Sequence, residues 1–97
     1  MREGDRTIND VLDAVAAHFA ITREQLVSGR SFTRARILAR YLACRVTRHS
    51  FRQIGVGIGG VTGTNVVYAL RKIEREMVVD AEFAAQVEGI KASLLAN

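Results

Sequence analysis

The chain has 97 residues, 48% of them apolar and 25% charged, and a formal net charge of +4. That length buries one core and leaves no room for a second domain or for the βαβ unit that a dinucleotide cofactor needs, so residues 1–97 are predicted to form a single domain. The charge is unevenly placed: Arg30 to Arg75 carries ten basic residues, nine of them arginine, against the one acid Glu74, while the two ends together carry four bases and nine acids. A middle this basic predicts a polyanionic partner, and arginine forks suit phosphate.

Taken in chain order, the pattern is helical almost throughout. Thr7 followed by Asp10 resembles a capping box, and Ile8, Val11, Leu12, Val15, Ala16 and Phe19 recur at helical spacing, which predicts a first helix over about 8–19 with His18 at its boundary. Thr22 with Gln25 repeats the cap before a short second helix that ends near Ser28 and Gly29. A third helix is predicted from about Thr33 to Arg48, with Ala35, Leu38, Ala39, Leu42 and Val46 in one apolar stripe and Arg36 and Arg40 one turn apart on the other side. No segment alternates with period two for long enough to propose a sheet, and the chain contains no proline. The fold class predicted is all-α, a compact bundle of about six helices.

Residues 50 to about 78 read as a helix-turn-helix. Ser50 caps a fourth helix that runs to about Val56 and supplies Ile54 to the core; Gly55, Gly57, Gly59, Gly60 and Gly63 are read as the corner. In a fifth helix, about Thr62 to Val79, a step of about 100° per residue gathers Val66, Ala69, Leu70, Ile73 and Met77 on one side. Thr64, Asn65, Tyr68, Arg71, Lys72 and Arg75 fall on the opposite side, free to meet a partner. A recognition helix reads bases with its N-terminal residues, here Thr62, Gly63, Thr64 and Asn65, and holds phosphates with groups further along and on its neighbour, here Ser50, Arg52, Tyr68, Arg71 and Lys72, with Arg40 of the third helix a further phosphate candidate. Asparagine pairs with the two hydrogen-bonding groups on adenine's edge, and a threonine methyl suits the thymine methyl. For Thr62 and Thr64 plain N-capping is the competing assignment. Asp80, Glu82 and Glu88 make the last helix acidic.

Other chemistries are poorly supported. Gly55, Gly57 and Gly60 match GxGxxG letter for letter, but no strand precedes them, and the motif binds pyrophosphate only within a βαβ unit. Gln53 to Leu70, the longest uncharged run, contains five glycines, two threonines and an asparagine, so it is not a spanning helix. Residues Met1 to Arg6 lack the apolar segment of a signal peptide. Cys44 is the sole cysteine, which suits a reducing cytoplasm and is read as a buried or half-buried helix residue rather than a reactive thiol. His18 and His49 are far apart and no Cys/His spacing suggests zinc. No enzymatic activity, metal, cofactor, membrane or small-molecule substrate is expected; His49 is a further candidate for approaching a phosphate. Phe32 and Phe51 are read as core plugs or staples rather than stacking platforms.

The stretches TINDVLDAVAAHFAITREQLVS and ARILARYLACRVTRHSFRQIG, and GG followed by T, V, A and RKIE, resemble the C-terminal DNA-binding domain of the bacterial replication initiator DnaA. The likeness runs from Ile8 to Leu95, without gaps between Ser50 and Glu74. It implies a six-helix, Trp-repressor-like module around a helix-turn-helix. By position it also implies Arg30 as the minor-groove residue, Arg34 and Arg36 as phosphate contacts, and major-groove readers beginning at Thr62. The sequence departs from the family where Arg-Asp-His-Thr-Thr follows the paired glycines: here stand Val61, Thr62, Gly63, Thr64 and Asn65. Only Thr64 matches the first threonine of that pair. The basic loop is about three residues shorter than the family's, and Arg52 stands where the family has proline. The nucleotide-hydrolysing module of DnaA lies outside this sequence, so the chain is not expected to open an origin by itself.

Two functions follow from these residues. The first is a double-stranded DNA-binding module in the cytoplasm, on the nucleoid, related to replication or transcription, with a base preference that differs from that of the DnaA box or is weak. The alternative is a protein-interaction adaptor that kept the fold and lost base reading, with a protein partner; the replaced Asp-His pair and the acidic last helix motivate it. RNA fits less well, because a helix does not enter the narrow A-form major groove.

Overall fold

A computed structural model describes residues 6–28 and 31–96. Among these residues the chain folds into six helices: α1 (Ile8–Phe19), α2 (Arg23–Ser28), α3 (Thr33–Val46), α4 (Phe51–Gly57), α5 (Gly63–Val79) and α6 (Ala81–Leu95). The bundle is all-α, as the periodicity predicts. One parallel bridge between Arg6 and Thr47 is the sole strand-like pairing among the described residues.

Local chemistry sets most boundaries. Thr7 and Asp10 exchange side-chain and backbone hydrogen bonds at the start of α1, at 3.1 and 3.0 Å. The bond from the Thr7 backbone N–H is the main reason the Asp10 carboxyl titrates below its ordinary range. Thr22 with Gln25 and Ser50 with Gln53 build the same reciprocal box at α2 and α4. Thr62 caps α5, and Asp80 both ends α5 and caps α6, so one residue turns the chain between its two longest helices. Helix α3 ends at Val46, two residues before the predicted Arg48. There Thr47 turns extended, and its hydroxyl donates back to the Ala43 carbonyl at 2.7 Å. Neither Ala20 after α1 nor Phe32 before α3 is glycine, yet both hold positive φ, 56° and 62°.

Helix α3 is the hub, packing against every other helix. Nine of its fourteen residues are buried. Its Leu38, Leu42 and Val46 meet Val11 and Val15 of α1, Ile54 and Ile58 around the corner, Val66 and Ile73 of α5, and Val87 of α6 in one apolar core. Each such side chain contributes about 1.5–3 kcal/mol of transfer free energy on full burial. The predicted inner stripe of α5 is confirmed, with Val66, Ala69 and Ile73 buried and Leu70 and Met77 half-buried.

Two expectations are corrected here. Arg36 and Arg40 do not lie on an outer side of α3; they are only 9% and 8% exposed. Their flank of α3 faces α2 and the corner after α4, so it is interior as well. Phe32 and Phe51 are not core plugs; both are exposed, since each sits at a helix start that the bundle leaves outside.

Candidate nucleic-acid interface

The helix-turn-helix is built from α4, the corner Ile58–Thr62 and α5. Helix α4 ends as Ile58 drops into the core, fully buried. Gly59 and Gly60 then take φ of 96° and 64°, a left-handed pair that side chains adopt only under strain. Gly55 and Gly57, read from sequence as part of the corner, belong to α4, and Gly63 is the first residue of α5. Gly55 has another role: the returning chain crosses it, Val61 N–H donates to its carbonyl at 2.9 Å, and a methyl group there would overlap the Val61 carbonyl oxygen.

A buried arginine, Arg40, explains how this corner is held, and a second, Arg36, holds α2 in the same way. The last carbonyls of a helix have no partner inside it. Arg40 Nε donates to the Ile58 carbonyl at 3.0 Å, at the C-cap of α4. Arg36 Nη1 donates to the Leu26 carbonyl at 3.0 Å, in the last turn of α2. Each guanidinium thereby satisfies an orphan acceptor where two elements meet α3. Burial, and secondarily the charge of Arg36, lowers the Arg40 pKa from its usual value, but guanidinium stays protonated throughout the physiological range.

The outward face of α5 is open. Thr64, Asn65, Tyr68, Arg71 and Arg75 are exposed and Lys72 is half-buried. Thr62 Oγ1 accepts from the Asn65 backbone N–H at 3.4 Å, which settles Thr62 as the helix cap; it also accepts from the Asn65 side-chain amide at 3.4 Å. Arg52, Val56, Val61, Gly63, Thr64 and Asn65 line one shallow groove at the start of α5. A methyl group at Gly63 would touch the Arg52 backbone and Phe51 Cβ at 3.4 Å, so the two helices are in close contact here. Ser50 is exposed, its hydroxyl occupied by the α4 cap. Arg34 is exposed at the start of α3, donates from Nη1 to Glu76 Oε1 at 3.1 Å, and lies with its guanidinium 4.6 Å from the Phe83 ring centroid.

The structure therefore brings Arg52, Gly63, Thr64 and Asn65 together and leaves Tyr68, Arg71 and Lys72 along the same helix, while Arg36 and Arg40 point inward. Arg30, the expected minor-groove residue, lies outside the described residues. Val56 was missed by the sequence reading: at 68% exposure it is an apolar wall of the groove, and its single valine in a glycine-rich run carried no signal. Glu76 was missed as well: Lys72 is one turn away, but Arg34, which ties Glu76 to α3, is 42 residues away.

The profile of the bacterial dnaA protein helix-turn-helix matches residues 8–73. The chain belongs to the DnaA helix-turn-helix family. The chromosomal replication initiator protein DnaA of Sphingopyxis alaskensis is 35% identical over 91 residues, which is 91% of this chain and 20% of that protein. Those of Rhizobium meliloti and Agrobacterium fabrum are 36% and 37% identical over 87% and 93% of this chain, covering 18% and 19% of their own lengths. The chain thus spans about a fifth of the DnaA proteins it matches and corresponds to their DNA-binding helix-turn-helix domain. That domain is a binding module and not a catalytic one. No helix among the described residues is long and apolar enough to cross a membrane, and no group of three or more His, Cys, Asp or Glu there could hold a metal ion.

Proposed function

We propose that this DnaA-type domain binds double-stranded DNA by laying the first turns of α5 in the major groove, as a replication- or transcription-related regulator working on the nucleoid in the cytoplasm. The supporting observation is that Thr64 and Asn65 sit exposed in one groove with Arg52. B-DNA's major groove, about 12 Å wide, admits a helix of this kind. Asn65 turns from Thr62 to a base edge, adenine being the best match, and the Thr64 methyl meets thymine. Thr62 caps the helix, and Gly63 lets the backbone approach. Arg52, Tyr68, Arg71, Lys72, Arg34 and the Ser50 turn hold phosphates, and Arg30 takes the minor groove by resemblance. Arg40 acts indirectly, by fixing the corner, and Arg36 by fixing α2 against α3.

The family's Asp-His pair is replaced here by the cap Thr62 and Gly63, so the preferred sequence differs from the DnaA box. Selection of bound duplexes from a random pool at two ionic strengths tests this. The expected result is an enriched motif other than the DnaA box, and affinity whose logarithm falls with log salt by about 0.9 per phosphate contacted. Absence of duplex binding at low salt would overturn it. The adaptor reading would then stand.

A further inference from the structure

Three charged side chains from two helices converge beside the proposed DNA face. Arg34 at the start of α3 donates to Glu76 Oε1 at 3.1 Å, and Lys72, one turn before Glu76 on α5, brings its Nζ to 3.8 Å from the same oxygen. The Arg34 guanidinium is further fixed by stacking over Phe83 of α6. Two cations held around one oxygen anion are the arrangement a DNA phosphate requires. The carboxylate fits it incompletely: Oε2 lies 3.1 Å from Arg34 Nη1, yet it is shielded from water and receives no aligned hydrogen bond among the described residues. A phosphodiester reaches further, and offers its two free oxygens to the two cations separately.

We propose that Glu76 is an internal stand-in for a DNA phosphate: it keeps Arg34 and Lys72 assembled in the free protein and is displaced when the duplex docks. This rests on the proposed duplex binding and adds a residue that sets its strength. Glu76 preorganises the two cations, which lowers the ordering cost of binding. It also competes with the phosphate, which lowers affinity and weakens the salt dependence, because the released carboxylate takes up a counterion that docking would otherwise free. The side chains of Arg34, Lys72 and Glu76 retain 52%, 34% and 30% exposure, so the exchange needs no unfolding.

The test is fluorescence anisotropy of a labelled double-stranded oligonucleotide against the whole chain over a salt series. Glu76→Gln should bind roughly threefold to tenfold more tightly at low salt, with a salt slope steeper by about one. In an Arg34→Gln background the same change should lose most of that gain. Equal or weaker binding by a folded Glu76→Gln variant overturns the proposal while leaving duplex binding intact. A wild-type chain that binds no duplex overturns both. A measurement without mutation closes the remaining gap should the variant fold poorly. On titration with duplex, NMR of the Glu76 carboxyl carbon and the Arg34 Nε–H should report the pair parting, and a pair that persists in the complex rules the exchange out.

Discussion

Arg40 Nε donates to the carbonyl oxygen of Ile58 at 3.0 Å, tying the central helix α3 to the corner of the helix-turn-helix across 18 residues. The bond is buried, so its loss leaves an orphan acceptor in the core. Arg40→Met is expected to cost about 2 kcal/mol, lowering Tm by roughly 8–16 °C for a domain of this size. Arg71→Ala, on the exposed face, should stay within about 0.5 kcal/mol. Thermal melts of the two variants compare them directly, and equal losses would refute the anchoring role of Arg40.

Base reading and phosphate holding separate by sequence dependence. Asn65→Ala should reorder affinities among duplexes of different sequence, with about 1–3 kcal/mol lost on the preferred one. Arg52→Ala and Arg71→Ala should weaken all duplexes alike and reduce the salt slope by about one each. A panel of duplexes at several ionic strengths distinguishes the two patterns, and uniform weakening by Asn65→Ala would remove it from the base-reading set.

Gly55 has no room for a side chain, because a methyl group would overlap the Val61 carbonyl oxygen, whereas Gly60 has open space but φ of 64°. Gly60→Ala should therefore cost only the left-handed conformation, about 1–2 kcal/mol. Gly55→Ala must shift the backbone of the corner and should cost more, on the order of 2–4 kcal/mol, with a parallel loss of DNA affinity. Denaturant titration ranks the two, and the reverse order would contradict the close crossing at Gly55.

Ala20 ends α1 with φ of 56° and ψ of 43°, its N–H bonded to the Ala16 and Ala17 carbonyls. Glycine is the residue this position favours. Relief of the left-handed strain outweighs the greater freedom of glycine in the unfolded chain, so Ala20→Gly is expected to stabilise by about 0.5–1 kcal/mol. A denaturation midpoint unchanged or lowered would show the strain to be absent.

Burial pushes the Cys44 thiol up to about 11 from 9.0. The native state then keeps its proton between those values while the unfolded chain loses it, so stability from this group is full below pH 9 and falls as pH rises towards 11. The folded protein should resist alkylation by iodoacetamide at pH 8, and Cys44→Ala should remove this part of the alkaline decline. Rapid modification of the native chain would contradict the burial.

Much of the scaffold was legible in the residues. Thr7, Thr22 and Ser50 act through side chains that reach only three positions along the chain, so a linear reading finds these helix starts. The stripe Val66, Ala69 and Ile73 places α5 correctly because its other side faces solvent. The same reasoning fails on α3, where Arg36 and Arg40 look solvated by spacing alone. Nothing nearby in sequence indicates that α2 and α4 bring unpaired carbonyls against them.

The order of helices, their caps and the polar face of α5 were determined by the sequence itself, since hydrogen bonds and periodicity within a few residues fix them. Tertiary packing decided which arginines face inward, that Gly55 is crossed by the Val61 carbonyl, and that Arg34 meets Glu76. Those outcomes depend on groups 6 to 42 residues apart, whose meeting is set only when six helices close around one core.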